Sequence, residues 1–494
     1  MGTPATVPGV EDRHRPERMA GPGLAGSIAV GVCGSVGLVL TGSRIGSVPP
    51  ASYSWWFSLP RTAGPWMAVV FYVSAALMIL GWLGLGREAR AGRLSLPTAW
   101  LVLALWGLPL LVGPPLFSRD LYSYIGQGLI ARRGLDPYTV GPSILGPGTL
   151  LSSIASVWRH TASPYGPLFV RATWLSALVS GPSLIVQVLV YRAFELVGVV
   201  LMMVSLPRLA RRLGTSPGVA LWLGVLSPLA LYSFISSGHN DSLMVGLMVA
   251  GVTLAVEGRL TTGLALCALA ATVKLPAATA VVFLAVNHVR STGSGGRPVA
   301  ERWKEAAGAV GLAAVVFAGV TVVCGYGWAW LGPGALHVPT ELRVFTTPAV
   351  SLGTAVFHLL HAVGLPVASS PTVTVTQAVV GLAAAVGCLV LLVTVHRHEV
   401  VHSLGLALIL IVVGSPTVWP WYLMWGLILL AATPAQRSRL MAGVLALAML
   451  LVGPSGSPRL GGHWYIVVTL ALAAAVVWLI RDRHWRAVVV PRAA

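Results

Sequence analysis

With 494 residues, 56% hydrophobic and only 9% charged side chains, and a mean hydropathy of +0.82, the chain has too few charges to cover the surface of a soluble globule. A formal charge of +18 would suggest nucleic acid as the partner of a soluble protein. Here Lys and Arg gather in short loops between apolar runs, the mark of cytoplasmic loops facing anionic membrane lipid, so an all-α polytopic membrane protein is expected and no nucleic acid.

In chain order, residues 1–23 are Pro-rich and charged without an apolar core, and read as a disordered cytosolic tail rather than a signal peptide. Residues 24–494 read as one membrane domain. A span needs about 20 apolar residues. Runs that meet this, or come near it, lie at 24–41, 66–86, 96–113, 184–206, 217–235, 242–257, 305–324, 373–395, 400–415, 420–432, 440–453 and 464–480. The bundle should therefore hold roughly 12–14 transmembrane helices. The basic connectors fall on the cytosolic side, and the long loops 42–65, 114–183, 325–372, 416–420 and 454–463 fall outside. Segment 264–288 is long and apolar, yet both of its flanks look cytosolic. Lys274-Leu275-Pro276 interrupts it, and proline both removes a backbone donor and disfavours helix at the preceding residue. Two half-helices that dip in and return are predicted, with Lys274 at a break lining a wet cavity. Cys33, Cys267, Cys324 and Cys388 lack metal-ligand spacing and read as small core residues. His358 with His361, and His396, His398 and His402, read as structural, and Arg192 and Glu195 as a local helix pair.

Only 14 side chains are carboxylic acids, most of them in tails or basic loops. A charge near bilayer depth costs about 2.5–3.5 kcal/mol, which singles out Asp120, Asp136 and Asp241 at the mouths of spans. Asp120 opens the long outer loop. Ser118 can cap a short interfacial helix through Ala131, with Leu121, Ile125 and Leu129 on one face and Asp120, Tyr124 and Gln127 on another. The helix N-terminus would favour the Asp120 anion. Asp120 is then either a general base or a charge that anchors the loop.

The other candidates carry paired readings. Arg119 contacts a phosphate or snorkels to headgroups, and Tyr124 joins the binding set from the face it shares with Asp120. Asp136, before Pro137, makes a turn or holds a sugar. Tyr138 and Tyr165 stack on a pyranose or are ordinary interface aromatics. In Gly238-His239-Asn240-Asp241, His239 and Asp241 bind a phosphate, a sugar, or a divalent cation (Mg or Mn) shared with Asp120, or else form an Asx turn that caps the next helix. Lys274 meets a phosphate or a structural partner. Arg343, beside Glu341, does the same or forms an exposed ion pair. No P-loop is present.

The order of Ser118-Arg119-Asp120-Leu121-Tyr122-Ser123-Tyr124, Gly134-Leu135-Asp136-Pro137-Tyr138, Ser163-Pro164-Tyr165-Gly166-Pro167, Gly238-His239-Asn240-Asp241 and Lys274-Leu275-Pro276 resembles the polyprenol-phosphomannose-dependent α-(1→6)-mannopyranosyltransferases, within the GT-C class of multispanning glycosyltransferases. The resemblance covers most of the chain. It implies an inverting transferase in the plasma membrane that moves mannose from polyprenyl-phosphate mannose to an α-(1→6)-mannan lipid, such as a mannosylated phosphatidylinositol, on the extracytoplasmic face. Such a donor has an acidic leaving group, so the chemistry needs one base and some positive charge. Asp120 is the expected base. A lipid-linked sugar flippase or transporter, or a GT-C enzyme for another sugar, is the alternative. A coupled carrier should place its charges near the midplane and show related halves, whereas these acids gather at one face and no repeat is visible.

Overall fold

A computed structural model describes residues 22–42, 65–290, 298–332, 347–395, 399–435 and 443. Every regular element among them is helical. Helices α1 Pro22–Gly42, α2 Pro65–Arg90 and α3 Leu96–Val112 come first, then α4 Asp120–Arg132, the short α5 Thr149–Ser153 and α6 Ser156–Arg159, and α7 Pro167–Val179. Helix α8 is Leu184–Arg212, and α9 Pro217–Leu223 is followed by α10 Pro228–Ala230, which runs into a π-helical turn at Leu231–Ser236. The remainder are α11 Asp241–Val256, α12 Leu260–Ala271, α13 Ala278–Arg290, α14 Val299–Val323, α15 Pro348–Ala362, α16 Ser369–Val393, α17 Val400–Gly414 and α18 Met424–Ala432.

The chain is a polytopic membrane protein. Among the described residues five helices (α1, α2, α8, α14 and α16) are long and apolar enough to cross a membrane, and the pair 217–223 and 228–236, bent by 53°, brings the number to six if it is counted as one broken span. Their outer faces carry exposed apolar side chains such as Val69, Leu80, Val315 and Leu382, which lipid rather than water would cover. The shorter apolar helices pack on these and on one another, α3 on α1, α11 on α8, α12 on α14, α17 on α16 and α18 on α17. Expected spans at 440–453 and 464–480 lie outside the described residues. The long loops hold more helix than their sequence suggests: α5, α6 and α7 fold within 114–183, and α15 within 325–372.

Local chemistry sets the boundaries. Ser95, Ser183 and Thr347 cap α3, α8 and α15 by accepting the N–H groups of Thr98, Val186 and Val350. Proline stands in the first turn of α3, α7, α9 and α15, where its missing donor costs nothing. Helices α8 and α11 cross with their backbones in contact: a Cβ on Gly198 would come within 2.1 Å of the Ser242 carbonyl, and one on Gly246 within 2.4 Å of the Gly198 carbonyl. Small residues permit that approach. The crossing fixes the start of α11, where Asp241 stands.

Arg192 and Glu195 are not a pair. Among the described residues no ion pair joins them. Arg192 donates to the carbonyls of Leu111 and Gly113 (2.5 and 2.6 Å) and to that of Ser236, while Glu195 accepts from the Tyr191 hydroxyl (3.0 Å) and the Leu243 N–H (3.2 Å). For Arg192 the unsatisfied carbonyls at helix ends outcompete Glu195 on its own helix.

The break in 264–288 falls where Pro276 predicts. Helix α12 stops at Ala271, Lys274 is extended (φ −156°, ψ 125°), and the chain resumes helix at Leu275. The Thr272 carbonyl would need the N–H of residue 276, and proline has none. Leu168 N–H supplies it instead (3.1 Å), and Gly166 N–H takes the Val273 carbonyl (3.0 Å). A Cβ on Gly166 would meet the Thr272 carbonyl at 2.1 Å, so glycine is required there. The loop that carries Tyr165 is thus fastened to the break that carries Lys274.

Candidate functional site

Phe117 has φ +66°, and it is the one non-glycine residue in the left-handed region among the described residues. For a bulky side chain this costs about 1–3 kcal/mol and is found where surrounding structure enforces it. The enforcing contact is a stack on Tyr232 (4.5 Å between centroids, 17° between planes), with Phe71 packed nearby. The turn presents Ser118, whose Oγ accepts the Asp120 N–H (3.2 Å) and so starts α4. Arg119 points toward α5 and donates to the carbonyls of Ser153 (2.5 Å) and Ser152. These contacts hold the loop together. Helix α4 carries the anticipated face, and its opposite side is covered as well, leaving Leu121, Tyr124, Ile125 and Gln127 all buried.

Asp120 is 6% exposed. Its Oδ1 accepts the Trp158 indole N–H at 2.8 Å, and its Oδ2 lies 3.8 Å from His239 Nδ1. Burial pushes the carboxyl up to about 7, against the Trp158 hydrogen bond and the Lys274 charge, which pull it down. Loss of hydration therefore outweighs the helix N-terminus, which alone would have favoured the anion. His239 is itself buried, with its Nδ1 3.3 Å from the Tyr124 hydroxyl and its ring stacked on Trp421 (3.6 Å, 18°). Burial, and then the Lys274 charge, push the imidazole well below its usual value, so it is neutral.

The second half of the cluster is built on the break. Lys274 Nζ donates to both oxygens of Asp241 (2.9 and 3.1 Å), and Trp425 Nε1 donates to Asp241 Oδ1 (2.5 Å). Asp241 is fully buried, whereas the Lys274 side chain is 11% exposed. The ammonium lies over the Tyr422 ring at 4.0 Å, with Trp425 at 5.1 Å and Tyr165 at 5.7 Å. Such aromatic faces stabilise a desolvated cation. Tyr165 also meets Tyr124 edge-on at 5.3 Å, which joins the two halves. Three groups in this region are buried with an unused hydrogen-bonding atom among the described residues: His239 Nε2, both amide atoms of Asn240, and the Tyr232 hydroxyl. Buried polar atoms left unpaired are places where a ligand's own polar groups gain most.

Asp120, Tyr124, Tyr165, His239, Asp241 and Lys274 therefore converge. Asp136 and Tyr138 lie off to one side: Asp136 is exposed and accepts the Tyr138 N–H at 2.8 Å as an Asx turn, and the Tyr138 hydroxyl donates to the Tyr165 carbonyl at 2.9 Å. Arg343 lies outside the described residues. Trp158, Asn240, Trp421, Tyr422 and Trp425 belong to the cluster and were not singled out from sequence. Four aromatic residues around Pro420 within 419–425 were the available signal, at the mouth of an apparently ordinary span. A cation shared by Asp120 and Asp241 does not fit these side chains, because both Asp241 oxygens already accept protein donors. Among the described residues no group of three or more His, Cys, Asp or Glu is arranged to hold a metal ion.

Residues 28–290 match the α-(1→6)-mannopyranosyltransferase family, N-terminal domain, and residues 347–481 match the MptB C-terminal domain. The chain belongs to the α-(1→6)-mannopyranosyltransferase family. Within that family it is 34% identical to α-(1→6)-mannopyranosyltransferase A of Mycobacterium tuberculosis, over 82% of this chain and 80% of the relative. It is 33% identical to a probable α-(1→6)-mannopyranosyltransferase of Mycolicibacterium smegmatis (83% and 80%), and 31% identical to α-(1→6)-mannopyranosyltransferase A of Corynebacterium glutamicum (83% and 87%). No solved structure matches. In this family member both matched stretches build the cluster, since Asp120, Asp241 and Lys274 come from the first and Trp421, Tyr422 and Trp425 from the second.

Proposed function

We propose that this protein is an inverting mannosyltransferase that uses polyprenyl-phosphate mannose and extends an α-(1→6)-linked mannan glycolipid on the extracytoplasmic face of the plasma membrane, with the fold of the GT-C class. The relatives' names support the sugar and the linkage. The observation that carries the mechanism is a buried carboxylate at Asp120 that feels the charge of an aromatic-walled lysine at Lys274. Beside Lys274, Leu275 and Pro276 begin an apolar groove of about 610 Å3 that continues along Thr279, Phe283, Leu389 and Ile411. A prenyl chain in that groove would bring its phosphate to the ammonium.

The acceptor hydroxyl attacks the anomeric carbon as the bond from that carbon to the phosphate oxygen breaks. The proton passes to Asp120, and the leaving polyprenyl phosphate takes the electron pair. A carboxylate of pKa about 7 suits this exchange near neutrality, because an effective base has a pKa close to the operating pH. Trp158 holds one Asp120 oxygen and leaves the other for the hydroxyl. Lys274 and the unpaired amide of Asn240 receive the developing phosphate charge, and Asp241 keeps the ammonium charged and in place. Residues 24–494 act as one catalytic unit in this reading, with 264–288 as two half-helices that dip in and return.

The test is to incubate purified protein with radiolabelled polyprenyl-phosphate mannose and a short α-(1→6)-dimannoside. The expected product is a trisaccharide cleaved by an α-(1→6)-mannosidase. Transfer from a nucleotide sugar instead, or no labelled trisaccharide from the lipid donor, overturns the reading.

A further inference from the structure

A second cavity, of about 320 Å3, lies beyond Tyr138 and is lined by Asp136, Arg171, Trp174, Cys324, Gly325 and Tyr326 among others. This is at the small end of the range for ligand pockets, about 300–1,000 Å3. The Arg171 guanidinium lies 4.6 Å from the Trp174 ring and 5.7 Å from the Tyr326 ring. Tyr326 in turn meets Tyr138 edge-on at 6.0 Å. Among the described residues neither Asp136 nor Arg171 is in an ion pair, and only one Asp136 oxygen accepts a protein donor. One wall therefore offers an acceptor, a forked donor and two partly exposed aromatic side chains at once.

The chemistry selects the ligand. Asp136 repels an anionic headgroup and Arg171 repels a cation, so a neutral molecule is favoured. A sugar hydroxyl is both donor and acceptor and can bridge a carboxylate and a guanidinium, while the C–H face of a pyranose packs on an aromatic ring. Tyr138 and Tyr165 separate this cavity from the Asp120 cluster, with Tyr165 bordering Lys274 on its other side. We infer that the Asp136–Arg171–Trp174–Tyr326 cavity is a distal subsite for a neutral hexopyranose of the acceptor chain, beyond the reacting sugar. The inference rests on the mannan reading for the identity of that chain. It makes the protein sensitive to acceptor length.

The experiment uses the full chain in detergent without donor, and measures α-(1→6)-mannotetraose and α-(1→6)-mannobiose binding by saturation-transfer NMR titration. Trp174→Ala and Arg171→Gln should each weaken tetraose binding by about twofold to tenfold, the range for one lost aromatic or polar contact. Mannobiose binding should move less. Trp174→Phe, which keeps a stacking face, should restore most of the affinity and guards against a folding defect in the alanine variant. Unchanged tetraose affinity in both Trp174→Ala and Arg171→Gln overturns the subsite, as does absence of tetraose binding to the unaltered protein. So does a loss that depends on anionic lipid rather than on oligosaccharide length. Because donor is omitted, failure of mannose transfer with Trp174-dependent binding intact would sink the proposed function and leave the subsite standing.

Discussion

Replacing Asp120 with Asn isolates the proton-accepting role. The amide keeps the size of the side chain and an oxygen that can accept the Trp158 indole N–H, now 2.8 Å from Oδ1, so the loop should hold its place. Burial raises the Asp120 carboxyl to about 7, above its unfolded value, so at neutral pH the buried anion costs stability that Asn does not. Asp120→Asn should therefore melt no lower than the parent at pH 8. Turnover should fall by at least about a hundredfold, the low end for losing a positioned base. The pH profile gives the sharper reading. Only the deprotonated form can accept the proton, so parent kcat/KM should fall about tenfold per pH unit below about 7 and level off above it. The residual activity of Asp120→Asn should be flat across the same range. Transfer from radiolabelled lipid donor to the dimannoside, measured from pH 5.5 to 8.5 alongside detergent melting curves, tests all three. Near-normal turnover would make Asp120 a loop anchor. An unchanged acid limb in the variant would assign the titration to another group.

Lys274→Ala should weaken donor use by about 1.5–3 kcal/mol, the value of one charge-assisted contact, with acceptor KM little changed; donor KM and kcat both at parental values would remove the phosphate role. The same variant leaves the buried Asp241 carboxylate with the Trp425 indole N–H but no counter-charge, so it should also lose about 3–5 kcal/mol of stability, and Lys274→Ala combined with Asp241→Asn should recover the melting temperature but not donor use. With native cysteines removed, Thr139→Cys and Gly148→Cys, both at exposed positions, should react with an impermeant thiol reagent from outside intact cells, while Arg211→Cys should not; the reverse pattern would invert the topology. A cryo-EM map with one continuous helix through 264–288 would discard the half-helix reading.

Membrane character follows from the sequence alone because it depends on summed apolar content and on where Lys and Arg fall, and neither requires a partner in space. The break at Lys274 was readable for the same reason: Pro276 lacks an N–H wherever it is placed. Asp120 drew notice as a rare acid at the edge of an apolar run. What surrounds it was not readable, since the contacts that define the cluster join residues far apart in sequence. Trp158 reaches Asp120 across 38 residues, and Trp425 reaches Asp241 across 184. Arg119, next to Asp120 in sequence, turns to the carbonyls of α5 because the end of that helix needs donors. Asp136 and Asp241 looked equivalent as outer-face acids. The fold gives one to an Asx turn on the surface and buries the other against Lys274. Local sequence sets each residue's conformational and hydrogen-bonding capacity; only the packing of helices decides which capacity is left over for a substrate.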